Sequence, residues 1–132
     1  MSNILTKLNK LSFLVEQLEV VIFDKLVSWE SVQNWNVGES KEISGSINLL
    51  VYREENIFIF ETIIPPGVTF SSHWHDFYEH NFVISGTYTD EAGSRKIGQW
   101  VKYDPEKIHE VSNLSRDKEL KLIVIFTRYE NK

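Results

Sequence analysis

Cysteine is absent from the 132 residues. Its absence removes disulfides, thiolate metal sites and cysteine nucleophiles together, so any metal must sit on histidine nitrogen and carboxylate oxygen. Long apolar runs are missing as well. In the opening segment MSNILTKLNKLSFLVEQLEVVIF, the residues Lys7, Asn9, Lys10, Glu16, Gln17 and Glu19 break up the hydrophobic positions. No uncharged stretch approaches the roughly 18 residues of a membrane span, and no secretory signal pattern is present. The expectation is a cytoplasmic protein without a membrane partner. Basic clusters are lacking too, and the formal net charge is −5. A nucleic-acid partner, which calls for a positive patch, is therefore not expected.

The composition that remains is ordinary for one globular domain: 42% hydrophobic and 25% charged. Aromatics reach 13%, which suits a β-rich core. Residues 1–23 stand apart. Ile4, Leu8, Leu11, Val15, Leu18 and Ile22 recur at steps of four and three, a helical stripe. That predicts a short N-terminal helix, serving either a helix–helix contact in a homodimer or packing on the chain's own barrel. Residues 24–132 then form the second unit. Within it, 24–46 reads as loop or irregular strand with Trp29 and Trp35.

From Ile47 onward, short strand-like runs alternate with turn signals. INLLVYREE and IFIFETII flank Glu55-Asn56, a hairpin; Pro65-Pro66-Gly67 breaks the chain; VTFSSHWH, NFVISGTYT, IGQWVKY, HEVSN and LKLIVIFTRYE follow. Regular short strands without intervening long helices predict an all-β sandwich or barrel and disfavour a βαβ fold.

The four histidines are His73, His75, His80 and His109, and three of them fall within eight residues. Alternate residues of a strand face one way, so His73 and His75 point together, Glu79 shares their parity, and His80 faces away. A further ligand must come from a distant strand, and His109 is the candidate. Three imidazoles and one carboxylate suit one divalent ion, zinc, iron, manganese or nickel. Phe58, Phe60, Trp100 and Tyr103 are candidates for pocket walls, and Phe82 and Trp74 are expected on the outer face.

The segment Gly67-VTFSS-His73-Trp-His75-DFY-Glu79-HNFVIS-Gly86 resembles the first motif of the cupin superfamily at every defined position. Gly98, His109 and Asn113 resemble the second motif in spacing. There the proline, Pro105, stands one place late, and Glu106 replaces the inner glycine. The resemblance covers about residues 48–130. It implies a double-stranded β-helix, the RmlC-like jelly-roll barrel, with a metal held at its mouth by His73, His75, Glu79 and His109. Within the family Glu79 has a second role open to it, as a base beside a three-histidine metal. The run GTYTDEAGSRKIGQWVKYDP is similar to the subgroup holding the cupin domains of zinc-binding anti-sigma factors and small diketone-cleaving dioxygenases.

The resemblance implies a metal-dependent enzyme acting on a small oxygenated metabolite, by dioxygenase-like or isomerase-like chemistry. The alternative is a zinc-stabilised small-ligand binding or sensing module. Sugar isomerases and epimerases of the same class, some of them metal-free, are a third reading. Anti-sigma factors carry separate N-terminal zinc ligands, and residues 1–46 hold neither Cys nor His. A sigma-inhibiting role is accordingly not expected, and a small-molecule partner and a homodimer are.

Overall fold

The computed structural model describes residues 28–73, 76–107 and 109–128. The helical stripe expected over residues 1–23 lies outside them. Strands dominate the described residues: β1 (Ser40–Ile43), β2 (Ser46–Glu54), β3 (Ile57–Ile64), β4 (Thr69–His73), β5 (Phe77–Ser85), β6 (Tyr88–Asp90), β7 (Gly93–Arg95), β8 (Trp100–Tyr103), β9 (His109–Ser112) and β10 (Leu120–Arg128). They form a six-stranded sheet, ordered β1-β2-β3-β10-β5-β8, and a four-stranded sheet, ordered β4-β9-β6-β7. Every strand pair is antiparallel. Two antiparallel sheets around one core are the all-β sandwich or barrel that the strand spacing predicts, and the jelly roll that the cupin resemblance implies.

The alternation of side chains explains the packing. Phe58, Phe60, Thr62 and Ile64 are the buried set of β3, and Leu120, Leu122, Val124 and Phe126 that of β10. These strands pair along their length, Phe60 opposite Val124 and Ile64 opposite Leu120. Burying each of the apolar side chains in this set is worth about 1.5–3 kcal/mol, which makes the two central strands a main source of cohesion.

Of the segment 24–46, expected as loop or irregular strand, residues 28–46 hold more structure than that. Trp29–Val32 forms one helical turn, α1, capped where Ser28 Oγ accepts from the Ser31 amide at 3.2 Å. Arg53 Nη1 then donates to the carbonyls of Gln33 and Trp35, at 3.1 and 2.7 Å. The segment is fastened over the barrel by its two tryptophans. Trp29 meets Phe58 edge-on at 5.0 Å, and Trp35 meets Phe60 at 5.1 Å.

The predicted hairpin at Glu55-Asn56 joins β2 and β3. Ser44 and Gly45, with φ of 51° and 86°, join β1 and β2 in a two-residue turn with both central residues left-handed. NFVISGTYT is not one strand: Gly86, at φ 87°, separates β5 from β6.

Candidate metal centre and barrel cavity

The run of inward positions on β5 is Phe77, Glu79, Asn81 and Val83, all buried, while Tyr78, His80 and Phe82 take the other parity. His80 accordingly lies near the Trp100 ring, 6.2 Å between centroids, and Phe82 stacks on Trp100 at 5.9 Å. Trp100 was a candidate pocket wall, and here the structure corrects the reading. It pairs with Phe82, inherits its outward parity and is 53% exposed. Tyr103, paired with Glu79, faces inward and is buried. Phe60 does line the barrel cavity.

β4 ends at His73, and Glu79 comes from the other sheet, so parity along one continuous strand is not what relates them. Strand pairing relates β4 to β9 instead: His73 stands in register with His109. His75 lies outside the described residues, as do the side chain of His73 and the position of Trp74. Among the described residues no group of three or more metal-binding side chains converges. Glu79 and His109 do meet. His109 is fully buried, and its Nε2 lies 3.3 Å from Glu79 Oε2.

The other face of the imidazole fixes its tautomer. Nδ1 stands 3.2 Å from the carbonyl of Lys107, and a carbonyl can only accept, so Nδ1 carries the hydrogen. A neutral ring then presents the Nε2 lone pair to the Glu79 carboxylate. Two lone-pair donors held this close, out of water, require a positive charge beside them, either a proton or a metal ion. The donor set therefore fits a divalent cation, with Lys107 in the outer role that orients a ligating histidine. Burial opposes the imidazolium, but the charge and hydrogen bond of Glu79, with the Lys107 carbonyl, outweigh it and raise the His109 pKa.

Behind Glu79 runs a buried polar chain. Asn81 Nδ2 donates to Glu79 Oε2 at 2.8 Å and to the Tyr88 hydroxyl at 3.2 Å. Tyr88 and Tyr103 share a hydroxyl–hydroxyl bond, and Tyr103 donates to Asp90, which Arg95 Nη1 contacts at 2.6 Å. With Asn81 donating, the hydroxyl hydrogens all point toward Asp90. Burial raises the pKa of both tyrosines, so they stay protonated and the direction is fixed. Tyr103 also lies flat on His109, with ring centroids 3.7 Å apart and planes within 4°. The pair is thus held from the side by an aromatic plate and from behind by hydrogen bonds.

Glu79 and Asn81 also line a cavity inside the barrel, together with Trp35, Asn48, Phe60, Thr62 and Phe126 among others. The sequence reading had not singled out Trp35, Asn48, Thr62 or Asn81. A signal was available for two of them: Thr62 and Asn81 are polar residues at the inward parity of otherwise apolar strands. Asn113, the end of the second motif, is structural. Its Nδ2 donates to the carbonyls of Ile64 and Lys118, at 2.9 and 2.8 Å, locking the loop between β9 and β10.

The family model of the ChrR cupin-like domain matches residues 38–128. The chain belongs to that cupin family. No curated protein matches it at a significant level. Among solved structures, an RmlC-like cupin from Shewanella frigidimarina superposes with a TM-score of 0.61 at 15% identity, over 71% of this chain and 86% of its own. KdgF from a Halomonas species gives 0.59 at 15%, over 70% and 89%. The complex of Rhodobacter sphaeroides SigE with the anti-sigma ChrR gives 0.61 at 17%, over 72% of this cupin and 52% of the matched chain. At these identities the likeness establishes the fold alone. No helix among the described residues is long and apolar enough to cross a membrane.

Proposed function

We propose that this cupin holds one divalent metal ion on His73, His75, Glu79 and His109 and acts on a small oxygenated molecule as a metal-dependent enzyme, by dioxygenase-like or isomerase-like chemistry. The observation that carries the reading is the 3.3 Å approach of His109 Nε2 to the Glu79 carboxylate, with Nδ1 turned to the Lys107 carbonyl. The register of His73 opposite His109 supports it. A bound ion of this kind supplies Lewis-acid or redox chemistry next to the cavity. The chain's own residues orient the donors and exclude water: Lys107 fixes the imidazole tautomer, Asn81 fixes the carboxylate, and Tyr103 covers the ring.

A second reading, a zinc-stabilised module that binds or senses a small ligand, is favoured by the family match to the ChrR cupin-like domain. Four protein ligands would close a tetrahedral zinc ion, whereas a six-coordinate ion keeps positions for substrate. Elemental analysis of protein purified without added metal, followed by turnover assays across preparations of different metal content, separates the two. Activity proportional to bound metal supports the enzyme. Full zinc occupancy without an exchangeable inner-sphere water supports the binding module. A His73→Ala/His75→Ala variant that binds metal as well as the parent would refute the ligand assignment.

A further inference from the structure

The cavity beside Glu79 has a chemical character of its own. It offers about 60 Å³ to the centres of water-sized molecules. A void that just encloses one water leaves almost no such freedom, so the space takes a small organic body rather than a single water. Ten of the fourteen described residues that line it are apolar, and they come from both sheets: Phe60, Leu122 and Phe126 on one side, Phe70 and Val111 on the other. No Lys, Arg or His is among the described residues that line it.

Its polar edge is small. Thr62 Oγ1 donates to Asn48 Oδ1 at 2.8 Å, and Asn48 Nδ2 donates to Ser46 Oγ at 3.1 Å. Thr62 keeps lone pairs to accept a hydrogen bond, and Asn48 keeps one N–H to give. A polyhydroxylated ligand would strand several hydroxyls against hydrocarbon here, each at a desolvation cost. Away from the ion proposed at its Glu79 end, a carboxylate inside the cavity would meet no cation among the described residues.

We infer that the molecule this cupin takes has a small, uncharged, largely apolar body, lodged between the two sheets, with a single oxygen or nitrogen function reaching Thr62 and Asn48. A sugar or sugar acid is the wrong class. The inference rests on the proposed function in placing the reacting end at Glu79, but the cavity can be probed without the metal.

The test is a titration of the full chain, as purified and after chelation, with 1-pentanol, xylitol and pentanoate, followed through the indole N–H resonances. Trp35 lines the cavity and Trp100 lies outside it, 53% exposed. The expected result is that 1-pentanol shifts the Trp35 resonance and leaves Trp100 in place, in both forms. Its dissociation constant should be at least tenfold below that of xylitol in both forms, and of pentanoate in the chelated form. Leu122→Trp, which fills the cavity, should abolish the shift. Should that variant not fold, Thr62→Val should weaken 1-pentanol several-fold without changing the spectrum of the free protein. Equal or tighter binding of xylitol, a shift confined to Trp100, or no response to 1-pentanol overturns the inference. None of these outcomes depends on metal content. Loss of metal in the His73→Ala/His75→Ala variant is read separately, so failure of the cavity assignment and failure of the metal assignment are distinguishable.

Discussion

A tight turn whose third residue has positive φ ordinarily places glycine there, because a Cβ in that conformation crowds the neighbouring carbonyl. The turn before His109 runs Asp104-Pro105-Glu106-Lys107, closed by the Lys107 amide on the Asp104 carbonyl at 3.2 Å, and Glu106 sits at φ 68°. The turn Pro65-Pro66-Gly67-Val68 has the same form, with Gly67 at φ 74°. Glutamate at the equivalent position carries strain of about 1–2 kcal/mol, partly offset because glycine would lose more freedom on folding. Glu106→Gly should therefore stabilise the protein by about 0.5–1 kcal/mol, read as a higher urea midpoint. Gly86 is the opposite case. A Cβ there would stand 2.6 Å from the Glu119 carbonyl oxygen and 3.0 Å from Leu120 Cα, both backbone, at φ 87°. Gly86→Ala should cost about 3 kcal/mol, combining left-handed strain with a clash that cannot rotate away. A loss below about 1 kcal/mol in the same denaturation would mean that the β5–β10 junction yields more readily than this contact implies.

Asp90, the last residue of β6, links the β6–β7 hairpin to the buried chain that ends on Glu79. Its side chain is only 2% exposed. Burial pushes its pKa up, but the Tyr103 hydroxyl and the Arg95 guanidinium outweigh that and hold it below the usual carboxylate range. A carboxylate depressed in the folded state contributes stability above its unfolded pKa, near 3.9, and loses it as pH falls through the lower folded value. Asp90→Asn should thus destabilise the protein at pH 7 by about 1–2 kcal/mol. The deficit should begin to shrink below about pH 4, where Asp90 of the unfolded chain takes up a proton, and close only below the lower folded value. Thermal melts of both proteins from pH 3 to 8 check this, and a constant deficit would remove the charge argument. Strands were legible from their apolar runs: β3, β9 and β10 match the expected runs to within two residues, whereas the run read as NFVISGTYT divides at Gly86 into β5 and β6. The helical turn at Trp29–Val32 was not, although Ser28 marks its start, because four residues give no periodicity to read. Trp100 misled for a related reason. Its direction is set by pairing with Phe82, and pairing partners are not written in the local sequence.

Across the molecule, the family was legible because the glycines, the HxH pair, Glu79 and His109 keep fixed intervals. The cavity was not, since its walls are gathered from α1, β1, β2, β3, β4, β5, β9 and β10 and from Trp35, which no motif marks. If the four donors hold an ion in the folded state and not in the unfolded chain, metal at a hundred times its dissociation constant adds about 2.7 kcal/mol of stability. Chelation should then lower the melting temperature of the parent by several degrees, while the His73→Ala/His75→Ala variant melts alike with and without chelator. Equal melting of the parent in both conditions would count against the site. The donors are also divided between layers: Glu79 belongs to the six-stranded sheet and His109 to the four-stranded one. The gap between carboxylate and imidazole is consequently a gauge of how far apart the layers stand. With the proposed ion in place, a guest too bulky for the interior would pry them apart and loosen the grip on it, and the barrel would then screen cargo by girth.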